Sequence, residues 1–210
     1  MSICRTLAAL SLLTAVAACG SDSDASEGRD AATERSPEAA TSSASDPSDD
    51  EGAAVPEGPA FPDGTASQTA RPKGEWDLVL TDVRVGHHEG FDRVVLEFDG
   101  TGTPGWAVGY VDRARADGSG ETIALDGDAV LDVYARGTTY PGTGAVDSGY
   151  DGPQHFRPED ASSVAEVHVV GTFEGDTQVV VGIDGDRVPF RTFALTGPAR
   201  LVVDVLDTED

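Results

Sequence analysis

Cysteine is almost absent from this 210-residue chain, which contains only Cys4 and Cys19. Both lie in the first 20 residues, so little thiol chemistry is available to the rest of the chain. This scarcity argues against a disulfide framework, a cysteine-ligated zinc cluster and a thiol nucleophile. A folded domain in this chain must therefore depend on its hydrophobic core.

Long hydrophobic runs are equally scarce. The longest extends from Leu7 to Ala18 after the single charge of Arg5, and it is shorter than the ~20 residues that a membrane-spanning helix needs. It has the length of the apolar region of a signal peptide. Its end, VAAC at 16–19, resembles a bacterial lipobox. We predict a signal peptide over residues 1–18 and a diacylglyceryl group on Cys19, with an ordinary secretory signal as the alternative.

Large apolar residues are nearly missing from residues 20–75, which are rich in Ser, Asp, Glu, Ala, Gly and Pro. The stretch has 4 basic and 13 acidic residues, a net charge of −9. Such a sequence cannot bury enough surface to offset its chain entropy. We predict that residues 19–75 comprise the lipidated cysteine and a disordered acidic linker. The domain would then be tethered to the outer face of the cytoplasmic membrane, without spanning it.

Alternating apolar and polar residues begin at Trp76 and continue to the end of the chain. This periodicity is typical of strands, and Gly, Asp and Pro separate the alternating segments. The sequence predicts about nine strands and an all-β sandwich of two small sheets over residues 76–210. The predicted strands are WDLVLTDVRV, RVVLEF, WAVGYV, ETIAL, AVLDVYA, VAEVHVVGTF, TQVVVGI, RVPFRTFAL and ARLVVDVL.

Basic residues are too few for a nucleic-acid-binding surface. Residues 76–210 contain 9 arginines and 25 acidic residues, a net charge of −16. Nucleic acids need a basic face that neutralises phosphates, so a nucleic-acid partner is excluded. Attraction to anionic lipids or wall polymers would require bridging cations.

Three motifs suggest a ligand but have simpler interpretations. GTGTPG at 100–105 fits a dinucleotide fingerprint, yet a strand-like segment follows where a helix is needed, so we interpret it as a loop. DGSGE at 117–121 and IDGD at 183–186 are interpreted as turns, with calcium binding left open. No G-x-S-x-G or H-E-x-x-H occurs. We expect no catalytic residue, no metal site and no cofactor.

The segment GHHEGFDRVVLEFD at 86–99 places two histidines between alternating segments. Gly86 and Gly90 frame a short polar link, which is typical of a hairpin. Adjacent strand residues point to opposite faces, so His87 and His88 are poor ligands for one metal ion. The segment predicts a hairpin.

Four segments resemble the AMIN-like domain of actinobacterial secreted lipoproteins, which is related to the AMIN domain of cell-wall amidases. They are GFDRVVLEF at 90–98, PGWAVGYV at 104–111, GTFEGDTQVVVGID at 171–184 and FALTGPARLVVDV at 193–205. The resemblance implies a β-sandwich that acts as a non-catalytic targeting module for peptidoglycan or an envelope partner. It supplies no catalytic motif. We interpret Arg93 and Arg200, within these segments, as sheet-face ion pairs or strand-end contacts.

One long interruption, at 137–163, offers a candidate binding surface. Loops beyond about 12–15 residues in a compact domain are usually functional or disordered. Aromatic faces and a guanidinium suit sugar rings, peptide termini and carboxylates. The candidate ligand-binding residues are Trp106, Tyr110, Tyr140, Tyr150, His155, Phe156 and Arg157. The alternative is that these aromatic residues only hold the loop against the sandwich.

Two other functions stay open. An exported hydrolase or metal-dependent enzyme could use the 137–163 loop, and His155 near His87 or His168 around an open pocket would favour it. A structural accessory subunit of a membrane complex would show an exposed apolar patch and no pocket.

Overall fold

The computed structural model describes residues 57–143 and 148–207. These residues belong to one compact unit. The predicted signal peptide at 1–18, Cys19 and the linker up to residue 56 lie outside the described residues. In the described part of the chain, no helix is long and apolar enough to cross a membrane.

Ten strands form two antiparallel sheets, which confirms the predicted all-β sandwich. The six-stranded sheet has the order β1-β4-β5-β8-β7-β6, and the four-stranded sheet has the order β2-β3-β10-β9. The strands are β1 (Gln68–Ala70), β2 (Val79–His88), β3 (Phe91–Asp99), β4 (Gly105–Val111), β5 (Ala129–Arg136), β6 (His155–Phe156), β7 (Val164–Phe173), β8 (Asp176–Ile183), β9 (Phe190–Leu195) and β10 (Ala199–Leu206).

The core lies between the inner faces of the two sheets. Along β5, buried and partly buried residues alternate over all eight positions, as the period of a strand requires. Phe98, Leu201 and Phe190 of the four-stranded sheet join one buried cluster with Leu131 and Ile183 of the six-stranded sheet. Each such side chain contributes about 1.5–3 kcal/mol by leaving water.

The prediction of a disordered linker up to residue 75 is wrong for its last part, because strand β1 (Gln68–Ala70) lies within it. Gln68 pairs with Val108 of β4 in the six-stranded sheet. Its side-chain amide also donates to the carbonyl of Phe190 (2.6 Å) and accepts from the amide of Thr192 (3.0 Å), both in β9. Hydrogen bonds therefore order a segment that has too few apolar residues to be recognised from its sequence.

The predicted strand ETIAL, residues 121–125, is also wrong. This segment crosses the outer face of the six-stranded sheet, where no free edge offers a ladder, and it has only an isolated bridge between Arg115 and Thr122. Ile123 and Ala114 form a small cluster there with Val180 of β8. The apolar alternation therefore reflects packing on a sheet, not pairing within one.

The loop and turn interpretations of the glycine-rich motifs are confirmed. The Asp77 carboxylate accepts hydrogen bonds from the amides of Thr101 and Gly102 in GTGTPG, and β4 follows the motif. DGSGE is a tight turn in which the amide of Gly120 donates to the carbonyl of Ala116. Gly185 of IDGD has φ +76° and donates to the Asp128 carboxylate.

Candidate functional site

A cleft of about 390 Å³ opens between the long loop, the start of β2 and the end of β7. We call it the tyrosine cleft, because it contains Tyr140 and Tyr150, two of the predicted ligand-binding residues. Its volume is in the range of small-ligand pockets. The lining residues are Val79, Leu80, Thr139, Tyr140, Pro141, Gly149, Tyr150, Gly152, Gln154, Val169, Val170, Gly171 and Thr172.

Two hydrogen bonds shape the walls of the tyrosine cleft, one next to β2 and one within the loop. The amide of Thr139 donates to the carbonyl of Leu78 (2.7 Å), which draws the loop against the start of β2. On the opposite wall, the Tyr150 hydroxyl donates to the carbonyl of Pro153 (2.8 Å). The Tyr150 ring is therefore held in place by its hydroxyl, which lowers the entropic cost of binding a ligand against it.

The two tyrosines differ in exposure. Tyr140 is 49% exposed, so its ring is available to a ligand. Tyr150 packs against the core, and burial raises the pKa of its hydroxyl. The arrangement offers one free aromatic face and one anchored ring, with the polar side chains of Thr139 and Gln154 beside them. It can hold a ring-shaped or extended ligand through stacking and hydrogen bonds.

Trp106 and Tyr110 lie elsewhere, on β4, three strands away from β7 in the same sheet. Both pack against the core. The Tyr110 ring meets Phe190 edge to face, its hydroxyl donates to the carbonyl of Val188 (2.9 Å), and burial raises its pKa. These contacts indicate that Trp106 and Tyr110 have structural roles.

His155, Phe156 and Arg157 lie together at the β6 edge, outside the lining of the tyrosine cleft. Phe156 packs against the core. Arg157 forms an ion pair with Asp126, and this hydrogen bond raises the pKa of the guanidinium. Asp126 in turn donates its amide to the Glu166 carboxylate (2.8 Å). Arg157 is thus engaged by acidic residues of its own domain.

His155 and His168 lie together in the structure. This is one of the two conditions of the enzyme alternative, and the other is an open pocket around the histidines. They are paired across β6 and β7 with ring centroids 3.7 Å apart, and burial lowers the pKa of His168. Glu166 lies 3.8 Å from Nδ1 of His155. Neither histidine lines the tyrosine cleft. The histidine pair is therefore not part of the tyrosine cleft.

The segment at 86–99 is a hairpin, which confirms that prediction. His87 and His88 diverge: His88 stacks on Phe91, while Nδ1 of His87 contacts Oδ1 of Asp92 (2.9 Å). The hydrogen bond to Asp92 raises the pKa of His87, whereas burial lowers that of His88. The two side chains have opposite environments, as adjacent positions on a strand should.

Asp92 is fully buried and anchors the start of β7. Its Oδ2 accepts hydrogen bonds from the amides of Ser162 (2.9 Å), Ser163 (2.6 Å) and Val164 (2.9 Å). Burial favours the neutral acid, but these bonds and His87 together lower the pKa of Asp92.

This arrangement is not a catalytic triad. The Ser162 hydroxyl lies 3.2 Å from Nδ1 of His87, the same nitrogen that contacts Asp92. A triad needs the serine on the opposite ring nitrogen, so that the base can take the hydroxyl proton while the carboxylate orients it.

Arg93 forms the predicted sheet-face ion pair. Its Nε and Nη2 donate to both oxygens of Asp204 (2.6 and 2.8 Å), and Nε of Arg191 also donates to Asp204 (2.7 Å). Arg200 makes a strand-end contact with the carbonyl of Pro198 (3.4 Å). These arginines of the AMIN-like segments are structural.

Trp76 is an exposed aromatic residue that the sequence analysis did not select. It is 62% exposed, and its ring lies against Gly175 in the turn between β7 and β8. The carbonyl of Gly175 accepts from the amide of Thr138, two residues before Tyr140. Nothing in the sequence relates Trp76 to the loop, because the β7–β8 turn that connects them is about a hundred residues away along the chain.

Comparison with known proteins identifies the family. No curated protein and no solved structure matches the chain. A family model for the AMIN-like domain matches residues 78–207, which cover β2 to β10 and the tyrosine cleft. This match extends over more than half of the sequence, and the chain therefore belongs to the AMIN-like domain family.

Proposed function

We propose that this protein is a non-catalytic envelope protein whose AMIN-like domain binds peptidoglycan through the tyrosine cleft. The observation that carries the proposal is the pair Tyr140 and Tyr150 in one cleft of about 390 Å³, with Tyr140 49% exposed. Aromatic faces stack on the apolar faces of sugar rings, and the neighbouring Thr139 and Gln154 suit hydroxyl and amide groups.

The anchor follows from the first residues. Cys19 carries the lipid, residues 1–18 are removed, and the protein is exported and held on the outer face of the cytoplasmic membrane. Two acyl chains bind a membrane durably, where a single one does not.

Co-sedimentation of the purified protein with cell-wall sacculi tests this function. Sacculi are used with anionic polymers retained or stripped, and with or without EDTA, because cations could bridge an acidic protein to these polymers. We expect pelleting that survives stripping and EDTA and weakens in Tyr140→Ala. Phe173→Ala is the matched control, since Phe173 is exposed (38%) and lies outside the cleft lining.

Two results would overturn the proposal. Pelleting that depends on the polymers or on cations would show that the cleft does not recognise the glycan or its peptide. Absence of pelleting under all conditions would direct the search to a partner protein in the envelope.

A further inference from the structure

We propose that His87, Asp92 and Asp207 form a binding site for a divalent transition-metal cation such as Zn²⁺. One ligand atom from each residue lies within 4.8 Å of the other two. Among the described residues, this is the one group of three or more His, Asp or Glu side chains that meets this condition. The two carboxylates and the imidazole are ligand types that Zn²⁺ accepts.

Asp92 is prepared to act as a ligand through Oδ1. Its Oδ2 is occupied by three backbone amides, so the carboxylate is fixed and Oδ1 is directed to His87. Metal-bound carboxylates are commonly held by such outer hydrogen bonds. The 2.9 Å between Oδ1 and Nδ1 of His87 is slightly less than the ~3.3 Å between neighbouring ligands of a tetrahedral zinc ion. A small rotation of the exposed imidazole therefore admits the ion.

Asp207 supplies an independent observation. Its Oδ1 is buried and has no hydrogen-bond partner among the residues that the structure describes. A buried oxygen without a partner destabilises the fold, more so if it is charged, and a bound cation removes this cost. The backbone amide of Asp207 donates to the carbonyl of Gly90 (3.1 Å), which places the residue beside the β2–β3 turn.

The site is accessible from solvent. The His87 side chain is 38% exposed and lines a neighbouring cleft of about 630 Å³, together with Asp160. With a neutral imidazole, Asp92 and Asp207 provide two negative charges that a divalent cation neutralises. The Ser162 hydroxyl, 3.2 Å from Nδ1 of His87, or water can complete the coordination.

Isothermal titration with Zn²⁺ alone tests the proposal, on tag-free purified protein in a buffer that does not chelate. We expect one Zn²⁺ per chain, with affinity reduced at least about tenfold in His87→Gln and in Asp207→Asn. His87 is exposed and Asp207 is only partly buried, so these variants should remain folded, and a melting curve without metal checks this. Ca²⁺ should bind more weakly, because it prefers oxygen ligands throughout.

Two matched controls separate ligation from its alternatives. Asp160→Asn removes one negative charge that acts on His87 without removing a ligand, and it should leave the affinity within about threefold. His155→Gln disrupts the histidine pair on the other sheet and should change nothing. The proposal fails if Asp160→Asn weakens binding as much as Asp207→Asn. It also fails if His155→Gln abolishes binding while His87→Gln and Asp207→Asn do not. Absence of binding at millimolar Zn²⁺ would likewise overturn it.

Discussion

Asp204 is a fully buried carboxylate that balances two arginines on the four-stranded sheet. Arg93 and Arg191 donate to it over 2.6–2.8 Å, and their guanidinium groups also lie over the ring of Phe91, at 5.4 and 5.1 Å. Both arginine side chains are largely removed from water, so Asp204 and the two arginines form a buried ion-pair cluster.

We predict that Asp204→Asn lowers the free energy of unfolding by about 3–5 kcal/mol, because it removes the buried carboxylate that accepts from both arginines. Urea denaturation measures the loss. Glu97→Gln is the control: it breaks the exposed pair with Arg84 (3.0 Å) and should cost less than about 1 kcal/mol. Equal losses of unfolding free energy in the two variants would show that the buried Asp204 ion pairs contribute no more than the exposed Arg84–Glu97 pair.

The His87–Asp92 pair predicts a pH dependence of stability in metal-free protein. The pKa of Asp92 is lowered in the fold, so its contribution is present above pH 3.8 and is lost as pH falls through its folded value. The pKa of His87 is raised, so its contribution is complete below pH 6.5 and is lost as pH rises through its folded value.

We therefore expect part of the free energy of unfolding to disappear above pH 6.5 in the wild type but not in His87→Gln. Chemical denaturation between pH 5 and 9, with EDTA present, measures the difference. Identical pH profiles for the two proteins would contradict the raised pKa of His87.

At the scale of elements, strand β1 joins the two sheets through one side chain. Gln68 is hydrogen-bonded to Phe190 and Thr192 of β9, while its own strand pairs with β4. We predict that Gln68→Ala costs about 1–3 kcal/mol, because it leaves the carbonyl of one residue and the amide of the other without a partner. Thr69→Ala, on an exposed position of the same strand, should change stability by less than about 0.5 kcal/mol. Thermal unfolding of both variants measures the two losses of stability, and equal losses would contradict the role of the Gln68 side chain.

Strands with an apolar face could be predicted from the sequence, and strands without one could not. The apolar segments of β2, β3 and β10 predict strands, and the glycine-framed link predicts the hairpin that joins the first two. β1 and β6 have three and two residues, too few for a periodicity, and they form because neighbouring strands offer free edges. The segment ETIAL has the alternating pattern of a strand, but it packs on the face of the six-stranded sheet and forms no ladder there.

The candidate sites, too, could be predicted only where their residues are close along the chain. Tyr140 and Tyr150 could be assigned to one surface because they lie in one loop. The convergence of Asp92 with Asp207, 115 residues later, depends on the pairing of β3 with β10. Such pairing cannot be inferred from the spacing of the residues along the chain.

At the scale of the whole molecule, we propose that a lipid anchor on Cys19 determines where the AMIN-like domain acts. Cys19→Ser removes the sulfur that the lipid needs, so we expect the protein to move from the membrane fraction to the soluble fraction. Fractionation of expressing cells, with an antibody to the domain, measures this distribution. A variant that remains in the membrane fraction would contradict lipidation at Cys19.

The most direct measurement for the central proposal is the affinity of the purified protein for soluble peptidoglycan fragments, determined by calorimetry. We predict saturable binding that Tyr140→Ala weakens about 5- to 150-fold, the effect of losing ~1–3 kcal/mol of stacking, and that Phe173→Ala leaves unchanged. Equal binding by all three proteins, or no binding by the wild type, would contradict a peptidoglycan-binding tyrosine cleft.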